Sequence, residues 1–495
     1  MTAVKAAGSG RADTPAMLHA VPADTLDGPR PASSPLAFDA DLIRRYDVSG
    51  PRYTSYPTAD RFHEGFGPAE YRQVLEARRA TRPRDPLSLY VHVPFCDTLC
   101  YYCACNKVIT RDRTRSAKYV RYVAREIDEI ASALAAPGPR APVEQLHFGG
   151  GTPTYLSRDE METMFAALRS AFAFAPDIEA SIEVDPRKVD AAQIAFLGSL
   201  GFNRISIGVQ DFDPAVQRAV NRLQSVEVTR TVVEAARANG FASVNLDLIY
   251  GLPKQTVAGF SATIDRVIDL SPDRVALYGY AHVPHLFKPQ RRIAPEQLPP
   301  PADKLAILAL AVERLGAAGY VYIGMDHFAK PGDDLARAQR ERRLHRNFQG
   351  YSTRPDCDLV AFGISAIGKI GNAYVQNVRT LDEYYDRLDG GTLPAFRGYA
   401  LTGDDAIRRD AIGRLMCDFD LPIPEFEARH GVAFSRAFAA ELVALAPLVD
   451  DGLVEVSPRR IRVTDRGRMV VRAVAMVFDR HLREARAAAK YSKVI

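Results

Sequence analysis

Between residues 87 and 329 the chain alternates two hydrophobic periods. Short β-branched or aromatic runs recur at LSLYVHV (87–93), EQLHFGG (144–150), ASIEVDP (180–186), RISIGVQD (204–211), SVNLDLIYG (243–251), RVALYGYA (274–281) and VYIGMDHF (321–328). Longer stretches with helical spacing of apolar residues separate most of them, among them MFAALRSAF, VTRTVVEAARANG and PADKLAILALAVERLG. Strand–helix alternation at this length predicts a parallel sheet with helices outside it, either open or rolled into a full or partial barrel.

Side chains alternate across a strand, so each run has two faces. Tyr90 and His92 share one face of the first run, opposite Leu89, Val91 and Val93. Ser181, Glu183 and Asp185 oppose Ile182 and Val184. Ser206, Gly208 and Gln210 oppose Ile205, Ile207 and Val209, and Asn245 and Asp247 oppose Leu246 and Leu248. The apolar faces suit covering helices. The polar faces would line the interior, where an unpaired ion costs several kcal/mol; a polar ligand inside the barrel accounts for them.

Beyond residue 390 the pattern changes. LTGDDAIRRDAIGRLMCDF and FSRAFAAELVALAPLVDDG read as helices, with Thr402 as an N-cap and Gly452 as a C-cap. LVEVSPRRIRVTDRG reads as a hairpin before a final helix, together a small winged-helix or helical appendage.

Composition narrows the class. The chain's 495 residues allow two or three domains. Apolar residues at 47% and charged residues at 25% are ordinary for a globular protein. A net charge of +4 is too small to attract nucleic acid by bulk electrostatics. No apolar run reaches the length of a membrane-spanning helix. Residues 1–37 are rich in Ala, Pro, Gly and Ser and lack the apolar core of a signal peptide. Asp13, Asp24 and Asp27 speak against an acid-poor transit peptide. This stretch is expected to be a disordered leader, and the protein to be a cytoplasmic monomer.

Cys96, Cys100, Cys103 and Cys105 crowd together, whereas Cys357 and Cys417 stand alone. A reducing cytoplasm argues against disulfides. The C-x3-C-x2-C spacing of Cys96, Cys100 and Cys103 lets one irregular loop offer three thiolates to corners of a [4Fe–4S] cube. Cys105 is an awkward fourth ligand; without it one iron keeps an open position, the mark of a catalytic centre. A four-cysteine zinc knot is the second reading, although no second C-x2-C pair exists. The loop follows the C-terminal end of the first strand, where sites in βα architectures lie.

With that spacing after a strand, the chain resembles the radical S-adenosylmethionine superfamily. PRYTSYPTA (51–59), CYYCACNK (100–107), HFGGGTPT (147–154), SIEVDPR (181–187), RISIGVQDF (204–212), NLDLIYGLPKQT (245–256), GMDHFA (324–329), LHRNFQGY (344–351) and the closing YSKVI extend the likeness. Together they resemble the oxygen-independent coproporphyrinogen III oxidase family over about residues 40–495. CNK and RYTSYPT separate that family from its relatives the haem chaperones, which share the GGGTP and YGLP regions.

The resemblance implies an α/β fold: a partial parallel (β/α) barrel over 87–389, preceded by the leader 1–37 and a substrate-covering segment 38–86. A mainly helical, winged-helix-like domain would follow over 390–495. It assigns Cys96, Cys100 and Cys103 to the cluster and leaves Cys105 without an iron. It implies two S-adenosylmethionine molecules, one held by Tyr90, Tyr102, Gly150, Glu183 and Ile367. The other would be held by Gly151, Thr152, Gln210, Arg222, Asp247 and Ala281. Gln210 and Asp247 already stand on the polar faces.

The implied reaction converts two propionates of coproporphyrinogen III to vinyl groups, giving protoporphyrinogen IX. It needs a low-potential electron donor of flavodoxin or ferredoxin type and an unidentified terminal electron acceptor. No nucleic-acid or membrane partner is expected, and no residue is assigned a catalytic role. Candidate partners for the tetra-anionic substrate are Arg44, Arg45, Arg52, Arg291, Arg292 and the RERRLHR run at 340–346. His92, His147, His282, His285 and His327 lie near strand ends as core residues or supports of the site.

Overall fold

Six strands follow the sequence pattern: β1 (Leu87–Val93), β2 (Pro142–Gly150), β3 (Ala173–Val184), β4 (Arg204–Gln210), β5 (Ser243–Tyr250) and β6 (Arg274–Gly279). In the computed structural model, which describes residues 36–354 and 357–484, they pair in parallel in chain order. Most of the expected leader (residues 1–35) and the closing YSKVI lie outside the described residues. The apolar strand faces are sealed: Leu89, Val91, Leu146, Phe148, Ile182, Ile207, Leu246 and Leu248 are buried. Helices Thr114–Leu134, Arg158–Ala171, Val226–Ala238, Val257–Leu270 and Pro301–Ala317 turn apolar faces to the same core.

The sheet differs from the expected pattern at both ends. VYIGMDHF (321–328) is not one more parallel strand. Gly324 and Met325 both take positive φ, which folds the run into an antiparallel hairpin of β7 (Val321–Gly324) and β8 (His327–Ala329). β8 then pairs antiparallel with β6. A seventh parallel strand, β9 (Asp358–Phe362), lies on the far side of β1. Its five residues are all buried, so it shows no polar alternation, and no helical pattern announces it. Antiparallel β10 (Ile367–Ile370), β11 (Ala373–Asn377) and β12 (Ala395–Ala400) continue from it. Among the described residues the order is β12-β11-β10-β9-β1-β2-β3-β4-β5-β6-β8-β7, a sheet that stays open rather than closing on itself.

Buried charges pin this added edge. Asp358 accepts from Arg78 Nε (2.8 Å) and from the Gly371 N–H (2.6 Å), and Arg82 lies 3.1 Å away. This ties helix Pro68–Thr81 to β9. Breaking such a buried pair costs about 3–5 kcal/mol. Glu126 does the same for helix Thr114–Leu134, accepting from the Gly363 N–H, Tyr384 and Asn377 (2.6–2.8 Å).

The C-terminal region starts with helix Gly403–Asp418, capped by Thr402, whose hydroxyl accepts from the Asp405 N–H (3.1 Å). FSRAFAAELVALAPLVDDG, read as helical, holds three short helices: Phe434–Ala437, Ala439–Ala444 and Ala446–Asp450. Pro447 lacks an N–H and forces a restart, and Gly452 ends the series at φ +70. Three strands, Asp420–Pro422, Val454–Val456 and Arg460–Val463, form a small antiparallel sheet, and helix Val471–Val477 follows. Buried Arg472 on that helix donates to the carbonyls of Pro51 (3.0 Å) and Gly50, and Tyr53 donates to Asp479 (3.0 Å). The N-terminal segment is thereby anchored by the C-terminal helices. Among the described residues, no helix is long and apolar enough to cross a membrane.

Candidate active site

The polar strand faces meet in one chamber. Across the pleat, Tyr90 lies opposite His147, His92 opposite Gly149, Glu183 opposite Ser206, Ser206 opposite Asn245, and Gly208 opposite Asp247. The Glu183 side chain is 45% exposed although its strand lies inside the sheet, so the chamber admits water. Many of its polar side chains are hydrogen-bonded to one another. Tyr90 donates to His92 Nδ1 (3.0 Å), and His92 Nε2 donates to the Asn106 carbonyl (3.0 Å), which fixes the tautomer. Tyr90 stacks on His147, whose Nε2 lies 3.4 Å from Glu183 Oε1. The Gly150 N–H donates to the other Glu183 oxygen (3.1 Å). Burial alone would raise the Glu183 carboxyl, but His147 and the Gly150 N–H outweigh it and hold Glu183 below its ordinary value.

On the next strand pair, Ser206 and Asn245 donate to Asp247 (2.9 and 2.8 Å). Burial, reinforced by the charge of Glu183, pushes Asp247 up to about 7. The native state therefore keeps this proton up to about pH 7, whereas the unfolded chain releases it near 3.8. Stability falls as pH rises through that window, and the full loss persists without further change above it. Asp247→Asn, which keeps the shape and one acceptor, is expected to gain stability relative to the natural protein between pH 5 and pH 8. Urea midpoints measured at both pH values check this; equal differences at the two would contradict it.

The cysteine loop lies beside this chamber. Cys96 and Thr152 are 3.4 Å apart, joining the first cysteine to the glycine-rich turn after β2. Arg222 and Arg187 both point at Cys100 (3.5 and 3.8 Å), and both are steered by Asp185 (3.3 and 2.6 Å). Cys105 donates to Cys103 and, with Lys107 nearby, brings that thiol down to about 6; burial raises Cys96 to about 11. Among the described residues no three Cys, His, Asp or Glu side chains converge as a single ion requires. A cube takes thiolates at separate corners, so three cysteines spread over one loop and backed by guanidinium groups suit a cluster rather than a zinc knot.

Most of the sequence-assigned residues stand around the chamber and loop. Tyr90, Gly150, Glu183 and Asp247 belong to the hydrogen-bonded wall, with Gly151 and Thr152 on the adjoining turn. Gln210 reaches the same side through a register shift at the end of β4, where its φ is +70; its amide nitrogen would lie 2.9 Å from a Cβ placed on Gly208. Arg222 bonds Cys100 and the Gly208 carbonyl (2.5 Å), and its Nε is buried without a partner. Tyr102 and Ala281 are joined by a residue that sequence reasoning missed: buried Gln290 donates to both carbonyls (3.1 and 3.2 Å). Ile367 stands apart at the start of β10, two places from β1 in the sheet. Arg187 was missed as well, although it follows directly in SIEVDPR.

The candidate cations separate cleanly. Arg44, Arg45, Arg342 and Arg343 pair with Asp41, Asp451, Asp420 and Glu341. Arg291 and Arg340 donate to the carbonyls of Pro284 and Pro331. Arg52 pairs with Asp326 near the Tyr278 ring of β6, and Arg346 donates to the Arg52 carbonyl (3.3 Å). Of the histidines, His92 and His147 line it, His327 borders it, and His282 bonds Tyr280 (2.9 Å).

Residues 90–267 match the Radical SAM superfamily, and residues 401–470 match the HemN C-terminal domain. The chain is 50% identical to the oxygen-independent coproporphyrinogen III oxidase of Pseudomonas aeruginosa, over 90% of this chain and 96% of that one. It is 47% identical to the protein of that name from Escherichia coli, over 92% and 98% of the two chains. The solved coproporphyrinogen III oxidase (HemN) of Escherichia coli, described as a radical SAM enzyme, superposes with a TM-score of 0.86 at 46% identity, covering 91% of this chain and all of that one. A likeness of this extent means that the chain belongs to the oxygen-independent coproporphyrinogen III oxidase family of the radical S-adenosylmethionine superfamily.

Proposed function

We propose that the protein converts two propionates of coproporphyrinogen III to vinyl groups without oxygen, giving protoporphyrinogen IX. The observation that carries this reading is the cysteine loop set beside a water-accessible polar chamber, in a chain half identical to a family member over nine-tenths of its length. A [4Fe–4S] cluster on Cys96, Cys100 and Cys103, when bound, supplies the electron that cleaves S-adenosylmethionine to methionine and a 5′-deoxyadenosyl radical. Overall, each propionate would give up one hydrogen atom from its β-carbon, carbon dioxide and one electron to become a vinyl group.

The chain's own residues bind and orient. Arg187 and Arg222 face the Cys100 sulfur with positive charge, and Asp185 holds both guanidinium groups in place. Glu183, kept ionised, can accept from ribose hydroxyls, and Gly150 lets the backbone approach a charged ligand closely. Tyr102 offers an aromatic face, and Gln290 fixes its backbone.

Two S-adenosylmethionine molecules fit the same reading, one on Tyr90, Tyr102, Gly150, Glu183 and Ile367, the second on Gly151, Thr152, Gln210, Arg222, Asp247 and Ala281. The orphaned Arg222 Nε and Asn245 Oδ1 support a second polar ligand beside Asp247. Residues 38–86 would cover the substrate over the barrel 87–389, with 390–495 as the C-terminal domain. For the electron donor, a recess of about 430 Å³ adjoins the cysteine loop, lined by Asp97, Thr98, Arg111, Arg113, Thr154 and Lys188. Three cations against one carboxylate suit an acidic one-electron carrier of flavodoxin or ferredoxin type. The protein would act as a monomer.

The test is anaerobic turnover of the reconstituted, reduced protein with coproporphyrinogen III and S-adenosylmethionine. Protoporphyrinogen IX with one 5′-deoxyadenosine per converted propionate is expected. Deoxyadenosine without vinyl product would overturn the substrate. Neither product, from protein of verified iron and sulfide content, would favour a haem chaperone.

A further inference from the structure

At the β6 side of the chamber two arginines lie together, and one of them is paired with a carboxylate. Arg52 forms an ion pair with Asp326, and its guanidinium lies 5.8 Å from the centre of the Tyr278 ring. Arg346, on the hairpin of His345–Asn347 and Gly350–Ser352, donates through Nε to the Arg52 carbonyl (3.3 Å) and lies over Tyr351. The site is built from the chamber wall itself: His327 of β8 lies opposite Ala276, which lies opposite Asp247.

Three donor or ring atoms here are buried without a hydrogen-bond partner: Arg346 NH1, Gln349 Nε2 and His327 Nδ1. Burial, with Arg346 and Arg52 adding to it, pushes His327 down to about 3, so it stays neutral and offers the arginines no counter-charge. Burial and Arg346 also lower Arg52. Yet the Arg52 side chain is 35% exposed, which leaves water-filled space in front of it. Buried donors and excess positive charge facing a wet cavity call for an anion that accepts several hydrogen bonds, and a carboxylate does so with paired oxygens.

We propose that Arg52 and Arg346 form a carboxylate clamp that seats a propionate which the reaction leaves intact, a reading that rests on the coproporphyrinogen substrate proposed above. The choice between retained and reacting propionates follows from charge. A reacting carboxylate leaves as neutral carbon dioxide, so a cation holding it stabilises the reactant and loses its grip toward the transition state. A retained carboxylate keeps its charge throughout and can be held tightly without raising the barrier. The clamp is held in place from outside the barrel: Arg472 binds the two carbonyls that precede Arg52.

The experiment compares the reconstituted natural enzyme with Arg346→Met, Arg52→Met and Arg346→Lys. Binding of coproporphyrinogen III and of protoporphyrinogen IX is measured by anaerobic ultrafiltration, with porphyrin fluorescence after oxidation. Loss of one charge-assisted contact should raise Kd by about tenfold or more in each Met variant. It should do so for both tetrapyrroles, because the clamped propionate survives in the product. Arg346→Lys keeps the charge without the planar fork and should lie between. S-adenosylmethionine binding should be unchanged in all three variants and thermal midpoints in the two Arg346 variants, which separates a lost contact from a damaged fold; Arg52→Met also leaves Asp326 unpaired and should melt earlier.

Weakened binding of coproporphyrinogen III alone would overturn the assignment to a retained propionate. Unchanged binding of both in every variant, with natural enzyme that turns over coproporphyrinogen III, would overturn the clamp. Natural enzyme that does not turn it over would instead overturn the substrate reading itself.

Discussion

Cys100→Ala is expected to reduce coproporphyrinogen turnover to below about a thousandth of the natural rate, a loss of more than about 4 kcal/mol. Cys100 is the thiol on which the electrostatics converge. Arg222 and Arg187 both reach it, and Asp185 holds both guanidinium groups in line. Removing the sulfur takes one corner from a three-thiolate set and leaves two guanidinium groups facing an apolar methyl. Iron and sulfide content and the visible absorption of the reconstituted protein should fall together with 5′-deoxyadenosine formation. Turnover that persists with a full iron complement would show that Cys105 replaces Cys100.

Gly151→Ala should cost about a hundredfold in turnover while leaving the cluster absorption in place. A Cβ on Gly151 would lie 2.7 Å from the Pro94 carbonyl oxygen and 2.8 Å from that of Phe95. Both are backbone atoms of the segment that leads into the cysteine loop, so no rotamer change relieves the contact. The Gly151 and Thr152 N–H groups donate to the carbonyls of Val93 (2.8 Å) and Phe95 (2.9 Å), which holds the two turns together. The methyl group must pry them apart, moving Thr152 from Cys96 and Gly150 from Glu183. S-adenosylmethionine affinity, measured by calorimetry on the reconstituted protein, should fall with turnover. Natural affinity with natural turnover would show that the turns tolerate the shift.

The cysteine loop and the polar wall were legible because both are local. A period of two places Tyr90, Glu183 and Asp247 on one side of their strands wherever those strands lie, and C-x3-C-x2-C confines three thiols to one loop. β9 was not legible: sealed on both faces, it carries no alternation, and its place beside β1 depends on Asp358 meeting Arg78 across 280 positions. The hairpin in 321–328 was misread because its residues have strand character, and only the positive φ at Gly324 and Met325 reverses the chain. Gln210 was placed on the correct side, but by a bulge and a left-handed φ rather than by simple alternation.

The sequence by itself determined the fold class, the cysteine loop and the chamber's polar character, since each follows from spacing within a short segment. Only the tertiary structure decided which cations matter. Arg44, Arg45, Arg52 and Arg346 are equivalent as letters; the first two are held in surface pairs, and the last two pack together beside β6. It also showed that Gln290, from a loop beyond β6, ties Tyr102 to Ala281. A charge or an amide acts through what surrounds it. Its burial and partners come from segments hundreds of residues apart, and no local period encodes them.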